Sequence, residues 1–333
     1  MSSLISSSQE LQAFDPFARQ VGDFPHLPYT QEKYQYRLKV QPFTAGGFEA
    51  VVKLVDVEQV ARLKESQELG ILKKPRTERP PEEREEAILS AKRRAKQMVR
   101  YKCKEMGANR LLTLTTRETL PILSLLACFQ KFLYLVERAI GEKLLYIAVP
   151  EQHPTNPDHL HLHIAVNTFL NVNVIRKCWH AALVARLPAR KDGQPDEQGG
   201  MPDCTGKNSP GNVDIQYIKT RGGKGAQTVK VARYISKYIT KGDFERFNKK
   251  RYWSTKGVKV LDARRVWLKS MSLGDAITES YRELGLFGHS GDGLDFFGSG
   301  AFEALKNNCF ASSDGMLFWF QITGDSVDYS PPF

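Results

Sequence analysis

The chain has 333 residues, 41% of them hydrophobic and 26% charged, so it carries enough apolar material for a sizeable core and wholesale disorder is excluded. Its 48 Lys and Arg against 37 Asp and Glu give a net charge of +11, which points to a polyanionic partner such as nucleic acid. No apolar run is long enough for a membrane span, the N-terminus lacks the basic start and apolar core of a signal peptide, and the five cysteines form no CxxC pair. A cytoplasmic protein without a disulfide framework, zinc ribbon or membrane partner is expected.

The charge is uneven along the chain. Residues 73–110 hold 13 basic and 6 acidic side chains, residues 217–270 hold 16 and 3, and residues 271–333 hold 2 and 9. This divides the chain into an N-terminal extension (1–79), a basic central domain (80–270) and an acidic C-terminal region (271–333) rich in Gly, Ser and Phe, with weak structure.

Within residues 1–72, Phe48–Val55 reads as a strand preceded by a Gly46-Gly47 turn, with no legible role. From Pro80-Pro81 to Met106, acids in the first turn, bases later and Gly107 beyond the end predict a helix. Arg110–Thr116 alternates Leu and Thr as a strand does, Pro121–Ile140 has helical apolar spacing, and Lys143–Glu151 reads as a buried strand. A turn at Asn156-Pro157-Asp158 then leads into the strand His159–Val166, so the two strands form a hairpin. Val174–Leu187 is a predicted helix, Gly193–Pro210 a polar loop, Asn212–Lys219 a strand and Thr228–Lys241 a helix. The order β-α-β-β-α-β plus a helix predicts an α+β fold with a ferredoxin-like split βαβ core and a central antiparallel sheet.

Two segments carry chemistry. Strand alternation points His159, His161 and His163 to one face, with Leu160, Leu162 and Ile164 to the other, and Glu151 and His153 share a parity across the turn. Imidazoles and a carboxylate on one face can hold Mn²⁺ or Mg²⁺; the alternative is a polar outer face without a ligand. In VARYISKYITKG, Tyr234 and Tyr238 are one helical turn apart, with Lys237 and Lys241 three residues after each. A tyrosine can attack a phosphodiester to give a phosphotyrosine link, and the lysines can neutralise phosphate or ease loss of the phenolic proton. The alternative is amphipathic packing.

Taken together, RLLTLTTRE at 110–118, HLHI at 161–164 after PEQH at 150–153, and RYISKYITK at 233–241 resemble the HUH endonuclease superfamily. The match is to two-tyrosine rolling-circle replication initiators of plasmids and phages related to the phage gene A replication proteins, and it covers roughly residues 80–265. The resemblance implies a metal held by His161 and His163 with His153 or Glu151 as third ligand, His159 as accessory ligand or DNA contact, and Tyr234 and Tyr238 as nucleophiles. It implies site-specific nicking of single-stranded DNA at a replication origin, which can be a hairpin, through a covalent 5′-phosphotyrosine whose free 3′ hydroxyl primes synthesis. Lys219, Arg221, Lys224, Lys230 and Arg233, with Arg251 and Lys256 of the 249–265 cluster, would hold phosphates, and Tyr252 and Trp253 would stack on bases. No nucleotide-binding GxxxxGK[ST] loop is present, so a separate helicase, with a DNA polymerase, is an expected partner. The same chemistry serves relaxases and single-strand transposases, and a non-catalytic nucleic-acid-binding sheet module is the rival from another class.

Overall fold

The computed structural model describes residues 33–70, 80–153, 155–185, 209–219, 223–239, 251–290, 293–296, 309–312 and 316–323. In chain order the elements are β1 (Tyr34–Pro42), β2 (Gly47–Asp56), α1 (Val57–Glu68), α2 (Pro81–Glu105), β3 (Arg110–Thr116), α3 (Ile122–Ile140), β4 (Tyr146–Gln152), β5 (Leu160–Val166) and α4 (Val172–Val184). They continue with β6 (Gly211–Tyr217), α5 (Gly223–Tyr238), β7 (Trp253–Ser254), β8 (Arg264–Trp267), α6 (Leu273–Glu283), β9 (Phe287–Ser290), β10 (Gly293–Phe296), β11 (Cys309–Ala311) and β12 (Leu317–Thr323). The result is a mixed α+β chain of two units, residues 1–74 with 261–333, and residues 75–260. Among the described residues no helix is long and apolar enough to cross a membrane.

The first unit corrects the division expected from charge. The extension and the acidic region are not separate appendages, because strands from both share one antiparallel sheet of order β11-β12-β2-β1-β8. Phe318 of β12 lies opposite Val52 of β2, and Val266 of β8 opposite Leu38 of β1, so the basic 261–270 segment also belongs here and not to the central domain. The described part of the acidic region is also well formed. Ser272 caps α6 by accepting from the Asp275 N–H, and α6 buries Leu273, Ala276, Ile277 and Tyr281 against the sheet. Pairing between residues so distant in sequence leaves no local signal of which strands are partners.

The second unit holds a sheet of order β6-β3-β5-β4-β7, every pair antiparallel. Its helices start and stop where local chemistry dictates. Pro81 opens α2 with Glu82 and Glu83 in its first turn, Asn171 caps α4 through the Asn173 and Val174 N–H groups, and Gly141 ends α3 at φ 75°. Strand alternation builds two cores. Leu112, Leu114, Leu162 and Ile164 pack with Phe129, Phe132 and Trp179 of α3 and α4. Leu111, Ile147, Val149 and Ala165 face the other way, onto Cys103 of α2 and Val231 and Ile235 of α5. His159, His161 and His163 share the parity of Ala165, so they lie on the α5 side.

Gly211 marks a point where this sheet tolerates no side chain. A Cβ there would overlap the Thr115 carbonyl oxygen and come within 2.8 Å of Leu183 Cδ1 and 3.0 Å of Trp179 Nε1. Gly211→Ala is expected to cost about 1–3 kcal/mol through overpacking. The check is the midpoint of urea unfolding, and an unchanged midpoint contradicts the close approach.

Cys103 is fully buried and its thiol is pushed far above the ordinary range by loss of solvation. A group whose folded pKa is raised contributes stability that is complete below its unfolded value and is lost as pH rises towards the folded one. From about pH 8.5 upward the unfolded chain therefore gains an ionised thiol that the folded chain lacks, a slope of about 1.4 kcal/mol per pH unit. Cys103→Ala is expected to make the fall of stability with pH shallower in this window by that amount. Urea titrations from neutral pH to mild alkali measure it, and parallel curves for variant and parent exclude Cys103 as the source.

Candidate functional site

The hairpin of β4 and β5 brings Glu151 directly opposite His161, and Val149 opposite His163, while β3 places Thr113 opposite His163 on the other side. His163 is the most enclosed member at 7% exposure. Its Nε2 lies 2.7 Å from Glu151 Oε2 and its Nδ1 3.3 Å from Thr113 Oγ1. An ionised carboxylate only accepts, so Nε2 carries the proton, and in the neutral ring Nδ1 accepts from the threonine hydroxyl. Both ring nitrogens are engaged.

Helix α5 closes over this ring. Its Val231, Ala232, Ile235 and Tyr238 are buried at helical spacing, which leaves Lys230, Arg233, Tyr234 and Lys237 on the outer side. Tyr238 stacks flat on His163, with ring centroids 4.0 Å apart and planes 4° from parallel. Tyr234 meets the two rings edge-on, at 6.4 Å from His163 and 5.3 Å from Tyr238. The two tyrosines differ in surroundings: Tyr238 is 7% exposed and Tyr234 is 41% exposed. Burial, then a hydrogen bond with Tyr234, then the charges of Tyr234 and Glu151 push the Tyr238 phenol well above its ordinary value.

The remaining histidines form a second group on the same face. The rings of His153, His159 and His161 stand 5.3–6.2 Å apart. His159 Nε2 donates to the Thr116 carbonyl at 2.8 Å, which leaves Nδ1 as the acceptor of its neutral ring. His153 Nδ1 accepts from the Thr155 N–H at 3.4 Å and sits 2.9 Å from the Thr155 hydroxyl. His161 is held neutral to lower pH than usual, by burial first and then by His159, His153 and His163, against the opposite pull of Glu151. The pair read as metal ligands is thus split, His163 being bound to Glu151 and Thr113 while His161 sits with His153 and His159. Among the described residues no three His, Cys, Asp or Glu side chains are gathered closely enough to hold a metal as they stand. The donor types do suit a divalent ion, with His161 opposite Glu151 in register and its ring 5.5 Å from that of His159.

The basic set is dispersed. Lys230, Arg233 and Lys237 form an exposed stripe beside Tyr234, and Lys219 and Lys256 are exposed. Arg251, Tyr252 and Trp253 are half-buried; Tyr252 packs on the α2–α5 core and Trp253 pairs with Ala148 in β7. Arg221, Lys241 and the Lys224 side chain lie outside the described residues. Thr113 was missed as a site residue, and the signal for it was the Leu-Thr alternation of β3, which sends the Thr113 hydroxyl to the histidine face. In comparison with known proteins, the chain matches no family model, no curated protein and no solved structure.

Proposed function

We propose that the chain is a metal-dependent enzyme that nicks and rejoins single-stranded DNA in the manner of HUH rolling-circle initiators, with Tyr234 and Tyr238 as its nucleophiles. The observation that carries this reading is the stacking of Tyr238 on His163, which joins the tyrosine helix to the histidine strand in one site. The strand order β6-β3-β5-β4, in which the first and third strands of the βαββαβ run are central, supports a ferredoxin-like core.

A tyrosine oxygen attacks the phosphorus of a DNA phosphodiester, the bond from phosphorus to the 3′ oxygen breaks, and that oxygen takes a proton to become a 3′ hydroxyl. The phenolic proton leaves to solvent, and the energy of the broken ester is kept in the new phosphotyrosine, so the reverse attack reseals a strand without another reactant. His161, His159 and Glu151 are the side chains of this face that would hold a divalent ion such as Mn²⁺ or Mg²⁺, which when bound polarises the scissile phosphate. His163, fixed by Thr113, orients the Glu151 carboxylate. Lys230, Arg233 and Lys237 line the outer side of α5 and supply positive charge for the approaching backbone. Strand separation falls to a separate helicase and synthesis to a DNA polymerase.

The test uses a labelled, randomised library of single-stranded DNA with Mn²⁺. After denaturation, DNA that stays attached to the protein is recovered and sequenced. The expected result is an adduct ending in a 5′ phosphate on tyrosine, enriched in one sequence and absent when the metal is chelated. No adduct at any metal concentration, or cleavage that persists in Tyr234→Phe/Tyr238→Phe, overturns the reading.

A further inference from the structure

In the first unit α6 fills one face of the sheet, where the even-numbered residues Leu38, Val52, Phe318 and Phe320 are buried. Alternation sends the odd-numbered residues to the opposite face, and the register sets them in rows across the strands. One row runs Phe310, Trp319, Val51, Lys39, Arg265. The next runs Leu317, Lys53, Arg37, Trp267. Arg37, Lys39, Lys53 and Arg265 give these two rows four cations and no acid, with aromatic rings at both outer edges. In the flanking rows Gln35 faces Val55 on one side, and on the other Glu49 is withdrawn from solvent at 1% exposure.

Two of the aromatics are presented outward, Trp267 and Phe310 each 40% exposed, while Trp319 between them in the sheet is half-buried. The Arg37 guanidinium lies over the Trp267 ring, 5.3 Å from its centroid. Burial first and then the neighbouring Arg265 charge lower the Arg37 pKa, so the two guanidinium groups lie within reach of each other on this face. A duplex offers such a face phosphates and groove edges but no ring faces, because its bases are stacked inside. Unpaired bases offer ring faces as well, and a basic sheet with aromatic platforms suits them.

We propose that this sheet face binds single-stranded DNA, with bases stacked on Trp267, Phe310 and Trp319 and phosphates held by Arg37, Lys39, Lys53 and Arg265. The choice of DNA over RNA rests on the nicking reading of the second unit; the stacking and charge argument does not.

Anisotropy of labelled oligothymidylate on the full chain, in a Tyr234→Phe/Tyr238→Phe background that prevents cleavage, tests the proposal. Lys53→Glu/Arg265→Glu is expected to weaken binding at least about tenfold and to flatten the salt dependence by about 1.4, the loss of two phosphate contacts on a single strand. The charge-matched pair Arg62→Glu/Lys64→Glu on α1 is expected to change it less than about twofold. Trp267→Ala is expected to cost about tenfold, and Trp267→Phe to recover most of it. Equal effects of the two charge pairs, or tighter binding to duplex DNA, oligouridylate or anionic vesicles than to oligothymidylate, overturns the proposal. Library capture failing while oligothymidylate binding stays sensitive to the sheet variants sinks the nicking reading and leaves single-strand binding standing. Intact capture with binding insensitive to those variants sinks the sheet proposal alone.

Discussion

Tyr234→Phe is expected to slow the first covalent capture of single-stranded DNA by at least on the order of 10²-fold near neutral pH, and Tyr238→Phe to slow it far less. The asymmetry follows from how one helix sits on one strand. The Tyr234 phenol is exposed among Lys230, Arg233 and Lys237, where a backbone phosphate is attracted. Tyr238 lies flat against His163, and burial, Tyr234 and Glu151 all disfavour its ionisation. It can attack only after its ring leaves the stack or its proton is taken. Rates of adduct formation for the two single variants, measured on the captured sequence across pH, decide the matter. If the two variants lose rate equally, or Tyr238→Phe loses more, then Tyr234 is not the first nucleophile. With Tyr234→Phe, the residual rate carried by Tyr238 is expected to rise with pH over a wider alkaline range than the parent rate, since its phenol ionises later.

The largest loss of stability is expected at Trp179. The side chain is fully buried, its Nε1 donates to the Thr115 carbonyl at 2.8 Å, and its ring meets Phe132 edge-on at 5.7 Å. Trp179→Ala removes the area, leaves a cavity between α3 and α4, and orphans a carbonyl at the end of β3. A cost of about 3–5 kcal/mol follows. Trp179→Phe keeps most of the burial but loses the donor, so a smaller cost of about 1–3 kcal/mol separates the hydrogen bond from the packing. Urea unfolding of both variants measures the split, and a cost below about 1 kcal/mol for the alanine variant contradicts the central place given to this ring. Because β3 carries Thr113 and Thr116, which bond His163 and His159, the same variants are expected to loosen the histidine face.

What could be read in advance was what is encoded locally. Strand β3 falls at Arg110–Thr116 as expected, and α3 and β5 begin one residue later than expected, because Leu-Thr alternation, helical apolar spacing and caps act within a few residues. The shared face of His159, His161 and His163 follows from alternation alone. What alternation does not encode is which partner each imidazole takes. Glu151 sits opposite His161 in register yet bonds the diagonal His163, because the threonine on β3 fixes that ring and α5 presses on it. The different exposure of the two tyrosines was likewise hidden, since an i, i+4 pair reads as one face until the tertiary contact with His163 decides which ring is covered. In the first unit β2 was legible at Phe48–Val55, but its pairing with β12, and that of β1 with β8, was not, because those partners lie far along the chain.

That last arrangement bears on synthesis. Strands β1 and β2 leave the ribosome before residues 75–260, but β12, which pairs with the edge of β2, comes after them. Until then β2 offers an unpaired edge to any strand that passes. The intervening residues 75–260 have their sheet and helices complete within themselves and need not wait. A product that stops short of Leu317 therefore carries both tyrosines and every histidine of β5 but lacks the strand that closes the first sheet. In this molecule the second unit can finish folding before the first, whose sheet waits for its last strand.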